Sequence, residues 1–158
     1  MKSILITGAS SGIGRASAEK FLAAGWQVGL VARRKDILEE MASAHGGAIA
    51  LPADVTDAEA MAGVFAKFMA ETGRLDAIFN NAGMFGPAAT IDEVSLDDFD
   101  QVVAINLRGM FIAARLAFAH MRGQSPQGGR IINNGSISAY TPRENSVCYT
   151  TTKHAVPG

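Results

Sequence analysis

Short runs of apolar residues alternate along this chain with longer segments whose apolar positions recur at helical spacing. Residues 4–7 predict a buried strand, followed by a glycine-bearing turn over 8–14 and a helix from about Ile13 to just before Gly25. A second strand is predicted over 27–32, and a weaker helix over 35–44 stops at Gly46-Gly47. A third strand, 48–51, is broken by Pro52. The next helix has the clearest period: Asp57 is a good N-cap, and Met61, Val64, Phe65, Phe68 and Met69 fall on one face before Gly73. A fourth strand, 75–80, runs into Asn80-Asn81-Ala82-Gly83 and a loop over 84–94. Ser95-Leu96-Asp97-Asp98 then opens a long helix reaching about Met121.

On that long helix Phe99, Val102, Val103, Asn106, Met110, Ala113, Ala114 and Ala117 share one broad face. Ile105, Phe111, Ile112 and Leu116 lie off it, an excess that suits a helix covered on two sides, for instance by a second subunit. A fifth strand follows over 130–134, and a last helix starts near Val147. Strand and helix alternating in this way predict α/β architecture with a parallel sheet.

Composition narrows the class. The chain of 158 residues is one domain's worth, 48% hydrophobic and 18% charged, which suits a packed core and argues against disorder. A net charge of −1 makes no electrostatic case for nucleic acid or an anionic membrane. Cys148 is the single cysteine, so no internal disulfide forms, and the cytoplasm is the expected compartment. The N-terminus reads as a strand and not as a signal sequence, and no run approaches the ~18 apolar residues of a membrane span.

Candidate chemistry begins at the turn. Gly8-x-x-x-Gly12-x-Gly14 joins a strand directly to a helix, so glycine permits close approach while free N–H groups and the helix dipole favour an anion. Ser10 and Ser11 add donors. The alternative is a tight βα turn whose glycines serve helix packing. At the end of the second strand Arg33 and Arg34 stand where an acidic residue would hold an adenosine ribose. Two guanidiniums there favour a 2′-phosphate, hence NADP(H), with NAD(H) the alternative. Asp54 follows the third strand, where a carboxylate can accept from an adenine amine or simply start the next helix.

Tyr149 and Lys153 are four apart, so one helical face carries both, with an ammonium beside a phenol. Such a pair moves a proton to or from a carbonyl or alcohol oxygen while a hydride is exchanged with a nicotinamide. Ser136 and Ser138 follow the fifth strand and offer a hydroxyl to the reacting oxygen, or merely cap the loop. Asn106 is a mid-helix amide on an apolar face, either a satisfied core asparagine or a relay toward Lys153. His45, His120 and His154 lack metal-ligand spacing, and Cys148 has no base at motif spacing.

Taken in order, these residues resemble the short-chain dehydrogenase/reductase family over essentially all 158 positions. The resemblance implies a single-domain Rossmann-type doubly wound sheet ordered 3-2-1-4-5. Its cofactor positions would be Gly8, Ser10, Ser11, Gly12, Ile13, Gly14, Arg33, Arg34, Asp54, Val55, Asn81, Ala82 and Gly83, joined by Tyr149 and Lys153. Its catalytic positions would be Asn106, Ser136, Tyr149 and Lys153; the thirteen positions from Ser136 to Tyr149 favour Ser136 over Ser138. It implies an NADP(H)-dependent carbonyl/alcohol oxidoreductase acting on a small molecule, commonly as a dimer or tetramer. Family members continue past the Tyr-x-x-x-Lys helix, whereas here Val156-Pro157-Gly158 closes the sequence. The expectation is therefore a chain lacking the C-terminal part of the domain, with a non-catalytic NADP(H)-binding module as the alternative function.

Overall fold

The strands sit where the alternation of apolar runs places them, and helices pack on both faces of the sheet they form, whose edge at Arg130–Asn133 stays exposed. The computed structural model describes residues 1–157. In chain order the elements are β1 (Ser3–Thr7), α1 (Gly12–Ala23), β2 (Gln27–Ala32), α2 (Lys35–Ala44), β3 (Ala48–Pro52), α3 (Ala58–Thr72) and β4 (Ala77–Asn80). A continuous helical stretch follows: α4 (Leu96–Val103) passes through a π-helical segment (Ala104–Gly109) into α5 (Met110–Gly123). Then come β5 (Arg130–Asn133), a 3-10 turn (Ile137–Ala139) and α6 (Val147–Ala155). All strand pairs are parallel and the order is β3-β2-β1-β4-β5, a Rossmann-type doubly wound sheet.

Pleating divides the core into two layers. Leu5, Val31, Leu51 and Ile78 face α3 and α5, where they meet Phe65, Phe68, Ala113 and Ala117. Their neighbours Ile4, Ile6, Val28, Leu30 and Ala77 point the other way, onto Ala18, Leu38 and Met41 of α1 and α2. Because both faces are covered at β1 and β2, these central strands read as unbroken apolar runs. Gly29 makes room for one large side chain: a Cβ there would lie 2.8 Å from the ring of Phe68. Removing that ring would cost about 3–5 kcal/mol.

The ends of α3 follow from its sequence. Asp57 accepts hydrogen bonds from the N–H groups of Glu59 and Ala60, both 3.0 Å, and Gly73 closes the helix in the left-handed conformation. At the start of α4 the Ser95 hydroxyl accepts from the Asp98 N–H at 3.1 Å and donates to the Asp98 carboxylate at 2.6 Å.

Three strand bounds differ from expectation. β4 begins at Ala77 and not at residue 75, because Leu75 bonds elsewhere. Its N–H donates to the Gln124 side-chain carbonyl (3.1 Å), and its carbonyl accepts from the Gln124 amide (2.9 Å). β3 includes Pro52, which pairs in register with Ala32; an edge strand tolerates the missing donor. β5 ends at Asn133, although the Asn134 N–H still donates to the Asn80 carbonyl.

The long helix is not uniformly α-helical. The wider turn over Ala104–Gly109 rotates its second half, so no single face drawn at 100° per residue runs through it. Ile112, read from sequence as off the buried face, is buried, whereas Phe111 and Phe118 are exposed. This stretch also corrects the membrane reading: Leu96–Gly123 is long and apolar enough to cross a membrane by length and composition. Averaging over abundant alanine and few charges reveals what a search for an uninterrupted apolar run misses. Here it packs as a core helix, with Ala113, Ala117 and Met121 against the sheet layer that holds Leu5 and Ile78.

Candidate functional site

The carboxyl ends of β1, β2, β3 and β4 open onto a cavity of about 520 Å³, within the ~300–1,000 Å³ of small-molecule sites. Its walls include Gly8, Ser10, Ser11, Ile13, Arg33, Arg34, Asp54, Val55, Asn81, Ala82 and Gly83. These residues lie as far as 75 positions apart in sequence. Of the cofactor positions that the resemblance implies around the turn and strand ends, only Gly12 and Gly14 are not walls of it. Gly14 instead packs α1 onto the turn: a Cβ there would lie 2.2 Å from the Gly8 carbonyl oxygen. Gly8 has a φ of 68°, and its own Cβ would be 3.0 Å from the Ala82 Cα.

Ser11 starts α1 without using its hydroxyl as a cap, so the helix N-terminus faces the cavity with its donors uncommitted to that side chain. The two arginines separate. Arg34 folds onto the turn, its guanidinium donating to the Ser10 hydroxyl (3.0 and 3.2 Å) and to the Ser10 carbonyl (3.2 Å). Arg33 has no such tie and lines the cavity. Asp54 is held by Thr56, whose N–H (2.9 Å) and hydroxyl (2.8 Å) donate to one carboxylate oxygen. The Thr56 N–H, chiefly, lowers the Asp54 pKa from its ordinary value, against the opposing effect of burial; the Thr56 hydroxyl and the Arg33 charge act in the same direction.

A second cavity, of about 300 Å³, shares Asn81, Gly83 and Met84 with the first and continues it toward α6. Tyr149 and Lys153 line it, together with Phe85, Asn134 and Arg143. The i,i+4 spacing brings the pair together: the Lys153 ammonium lies 5.5 Å from the centre of the Tyr149 ring. Phe85 tilts against the same ring with centroids 5.1 Å apart. Lys153 is only 4% exposed and donates to the Asn134 backbone carbonyl at 2.7 Å. Burial lowers its pKa, partly opposed by the neighbouring Tyr149.

Hydrogen bonds tie this end of the cleft to the glycine turn. The Asn134 side-chain amide donates to the Asn81 side-chain carbonyl (2.9 Å), and the Asn81 amide donates to the Thr7 carbonyl (3.2 Å). The Thr7 hydroxyl in turn accepts from the N–H groups of Asn81 and Ala82, both 3.0 Å. The β1 and β4 ends are thereby locked side by side.

Two expected residues are not walls of either cavity. Asn106 is buried in the π-helical turn with its amide fully committed: it accepts from the Met84 N–H (2.8 Å) and donates to the Met84 carbonyl (2.8 Å) and the Thr152 hydroxyl (3.2 Å). These bonds satisfy the buried amide, and the Lys153 ammonium bonds the Asn134 carbonyl, with no direct side-chain bond to Asn106 among the described residues. Ser136 is half-buried and accepts from the Ser138 N–H at 3.1 Å, capping the 3-10 turn. Neither serine is a wall of either cavity, and Ser138 is fully buried. Arg143, Asn134 and Thr152 are not expected from sequence: Arg143 lies in a loop, Asn134 directly after β5 and Thr152 within α6, and no motif spacing singles them out.

With this geometry in view, comparison with known proteins is direct. The short chain dehydrogenase family model matches residues 2–158, and the chain belongs to that family. A 3beta-hydroxysteroid dehydrogenase of Mediterraneibacter gnavus is 34% identical over 99% of this chain and 57% of its own length. A 3-ketoacyl-(acyl-carrier-protein) reductase from Brucella melitensis, solved with NADH, superposes with a TM-score of 0.93 at 32% identity, covering 98% of this chain and 65% of that one. ElxO, solved with NADP bound, gives 0.91 at 30% identity, covering 98% and 63%. The chain thus spans about three fifths of the length of these relatives.

Proposed function

We propose that this chain binds NADP(H) along the joined cavities and interconverts a carbonyl and an alcohol at Tyr149. The observation that carries the proposal is the buried Lys153 beside Tyr149, at the far end of a cleft that begins at the glycine turn.

The residues present fit a dinucleotide phosphate: Gly8, in the left-handed conformation, lets the turn pack closely on Asn81 and Ala82, and the N-terminus of α1 and the Ser11 hydroxyl offer donors for a pyrophosphate. Arg33, untied to the turn, would hold the 2′-phosphate, while Arg34 braces Ser10. Asp54 and Val55 would border the adenine, and Asn81 to Gly83 the middle of the cleft. A bound nicotinamide supplies or accepts the hydride. Tyr149 passes the proton to or from the substrate oxygen, and the Lys153 ammonium favours the phenolate electrostatically. Ser136 would hydrogen-bond that oxygen. Asn106 is a positioning residue that fixes Met84 against Thr152. The cytoplasm and a homo-oligomer belong to the same reading; the exposed Phe111 and Phe118 of α5 support the latter.

The test is NADPH oxidation across a panel of carbonyl compounds, with Tyr149→Phe lowering the rate about 10²- to 10⁴-fold. Undiminished activity in that variant removes Tyr149 from its role. Arg33→Ala should shift affinity from NADPH toward NADH; an unchanged ratio sinks the phosphate assignment. A second reading, an NADP(H)-binding module without turnover, is favoured by Ser136 lying outside both cavities. Tight NADPH binding with no turnover of any carbonyl would select it.

A further inference from the structure

The cavity around Tyr149 is cationic. Its walls carry two cationic side chains, Lys153 and Arg143, the amides of Asn81 and Asn134, and no carboxylate. Lys153 is committed to the Asn134 carbonyl. Arg143 is exposed and, among the described residues, forms no ion pair, although Glu144 is its neighbour in sequence.

Nor is Arg143 on a loosely attached loop. Its carbonyl accepts from the hydroxyl of the buried Ser146 at 2.8 Å, and that hydroxyl is also 2.8 Å from the Thr150 hydroxyl, one residue beyond Tyr149 on α6. Ser146 also forms a strand-like bridge with Ala89. The guanidinium is therefore carried by a segment braced to the helix that bears the phenol. A guanidinium offers a planar fork of donors that matches a carboxylate or phosphate, and its charge is unopposed within the cavity.

We propose that this cavity selects substrates bearing an anionic group, carboxylate or phosphate, with Arg143 as the partner of that group while Tyr149 meets the reacting oxygen. The inference rests on the reading of Tyr149 given above. Phe85, tilted on Tyr149, supplies the apolar wall between the two polar ends.

The experiment compares matched pairs: acetoacetate against methyl acetoacetate, and dihydroxyacetone phosphate against dihydroxyacetone, each with NADPH, in wild type, Arg143→Gln and Arg143→Lys. The two pairs separate a carboxylate from a phosphate. Arg143→Gln should lower kcat/KM for at least one anion about ten- to hundredfold, the effect of one charge-assisted hydrogen bond. Its neutral counterpart should be unaffected, and Arg143→Lys should recover part of the loss. Equal losses for anion and neutral counterpart, or no loss for either anion, overturn the proposal. If no carbonyl is turned over, calorimetric titration of the two anions in the presence of NADPH reads the subsite alone. Binding lost in Arg143→Gln then upholds the anion site while the oxidoreductase reading fails; binding absent, or unchanged in the variant, overturns the anion site.

Discussion

The Lys153 ammonium donates a 2.7 Å hydrogen bond to the backbone carbonyl of Asn134, so a buried cation on α6 is anchored to the end of β5. The Asn134 side chain continues the connection to Asn81, and Asn81 to the Thr7 carbonyl at the glycine turn. One chain of polar contacts therefore spans the cleft from the proposed proton-transfer end to the proposed phosphate end.

That burial has a measurable consequence. The Lys153 pKa is lowered from 10.5, mainly by burial, with Tyr149 opposing. Between the folded value and 10.5 the unfolded chain holds more protons, so this residue makes stability rise with pH through that window. Chemical denaturation of wild type and Lys153→Met from neutral to alkaline pH should show wild type gaining on the variant as pH increases. Parallel curves would contradict the burial argument.

Gly14 and Gly63 should respond oppositely to alanine. At Gly14 the added Cβ meets the Gly8 carbonyl oxygen at 2.2 Å, so Gly14→Ala should cost about 1–3 kcal/mol or more and weaken nucleotide binding. At Gly63, exposed in the middle of α3, a Cβ meets nothing within 4 Å. Gly63→Ala should stabilise by about 0.5–1 kcal/mol. Thermal melts and NADPH titration of both variants check the pair; a neutral Gly14→Ala would mean that α1 can retreat from the turn.

Asp76 ties β1 to β4. Its carboxylate accepts from the Ser3 N–H at 2.9 Å and from the Arg74 guanidinium at 2.6 Å. Burial alone would raise its pKa, but these bonds and the charges of Arg74 and Lys2 outweigh it and lower the pKa from 3.8. Its contribution is complete above the unfolded value and is lost as pH falls through the folded one. Asp76→Asn should cost about 1.5–3 kcal/mol at neutral pH. In urea titrations the gap to wild type should narrow below pH 3.8; a gap that stays constant into acid would show that the charge contributes nothing.

Asn106→Leu should be more damaging than its apolar surroundings suggest. The substitution leaves the N–H and carbonyl of Met84 without their partner and removes a bond to Thr152. A loss of about 2–4 kcal/mol is expected from two stranded backbone groups. Faster amide hydrogen exchange at Met84 would localise the effect, and unchanged exchange there would argue against it.

The succession of strands and helices was legible because burial on two faces demands unbroken apolar strands, and helix caps need particular residues. Asp57 and Gly73 bound α3 as their side-chain chemistry requires. The glycine turn and the Tyr149–Lys153 spacing were equally readable, since both depend on neighbours in sequence. Local pattern could not reveal that Leu75 bonds Gln124 across 49 positions, nor that the helix widens at Ala104–Gly109, where Gly109 lies against Val55.

Residue type and short-range spacing thus determined the fold class, the turn and the tyrosine–lysine pair. Both adjacent arginines line the cavity, and tertiary structure decided which of them is tied to the turn, because only folding brings Ser10 within reach of Arg34. It also placed Arg143 in the Tyr149 cavity and gave the Asn106 amide its partners, Met84 and Thr152. Those assignments depend on hydrogen bonds between segments tens of residues apart, whose partners no periodicity along the chain can select.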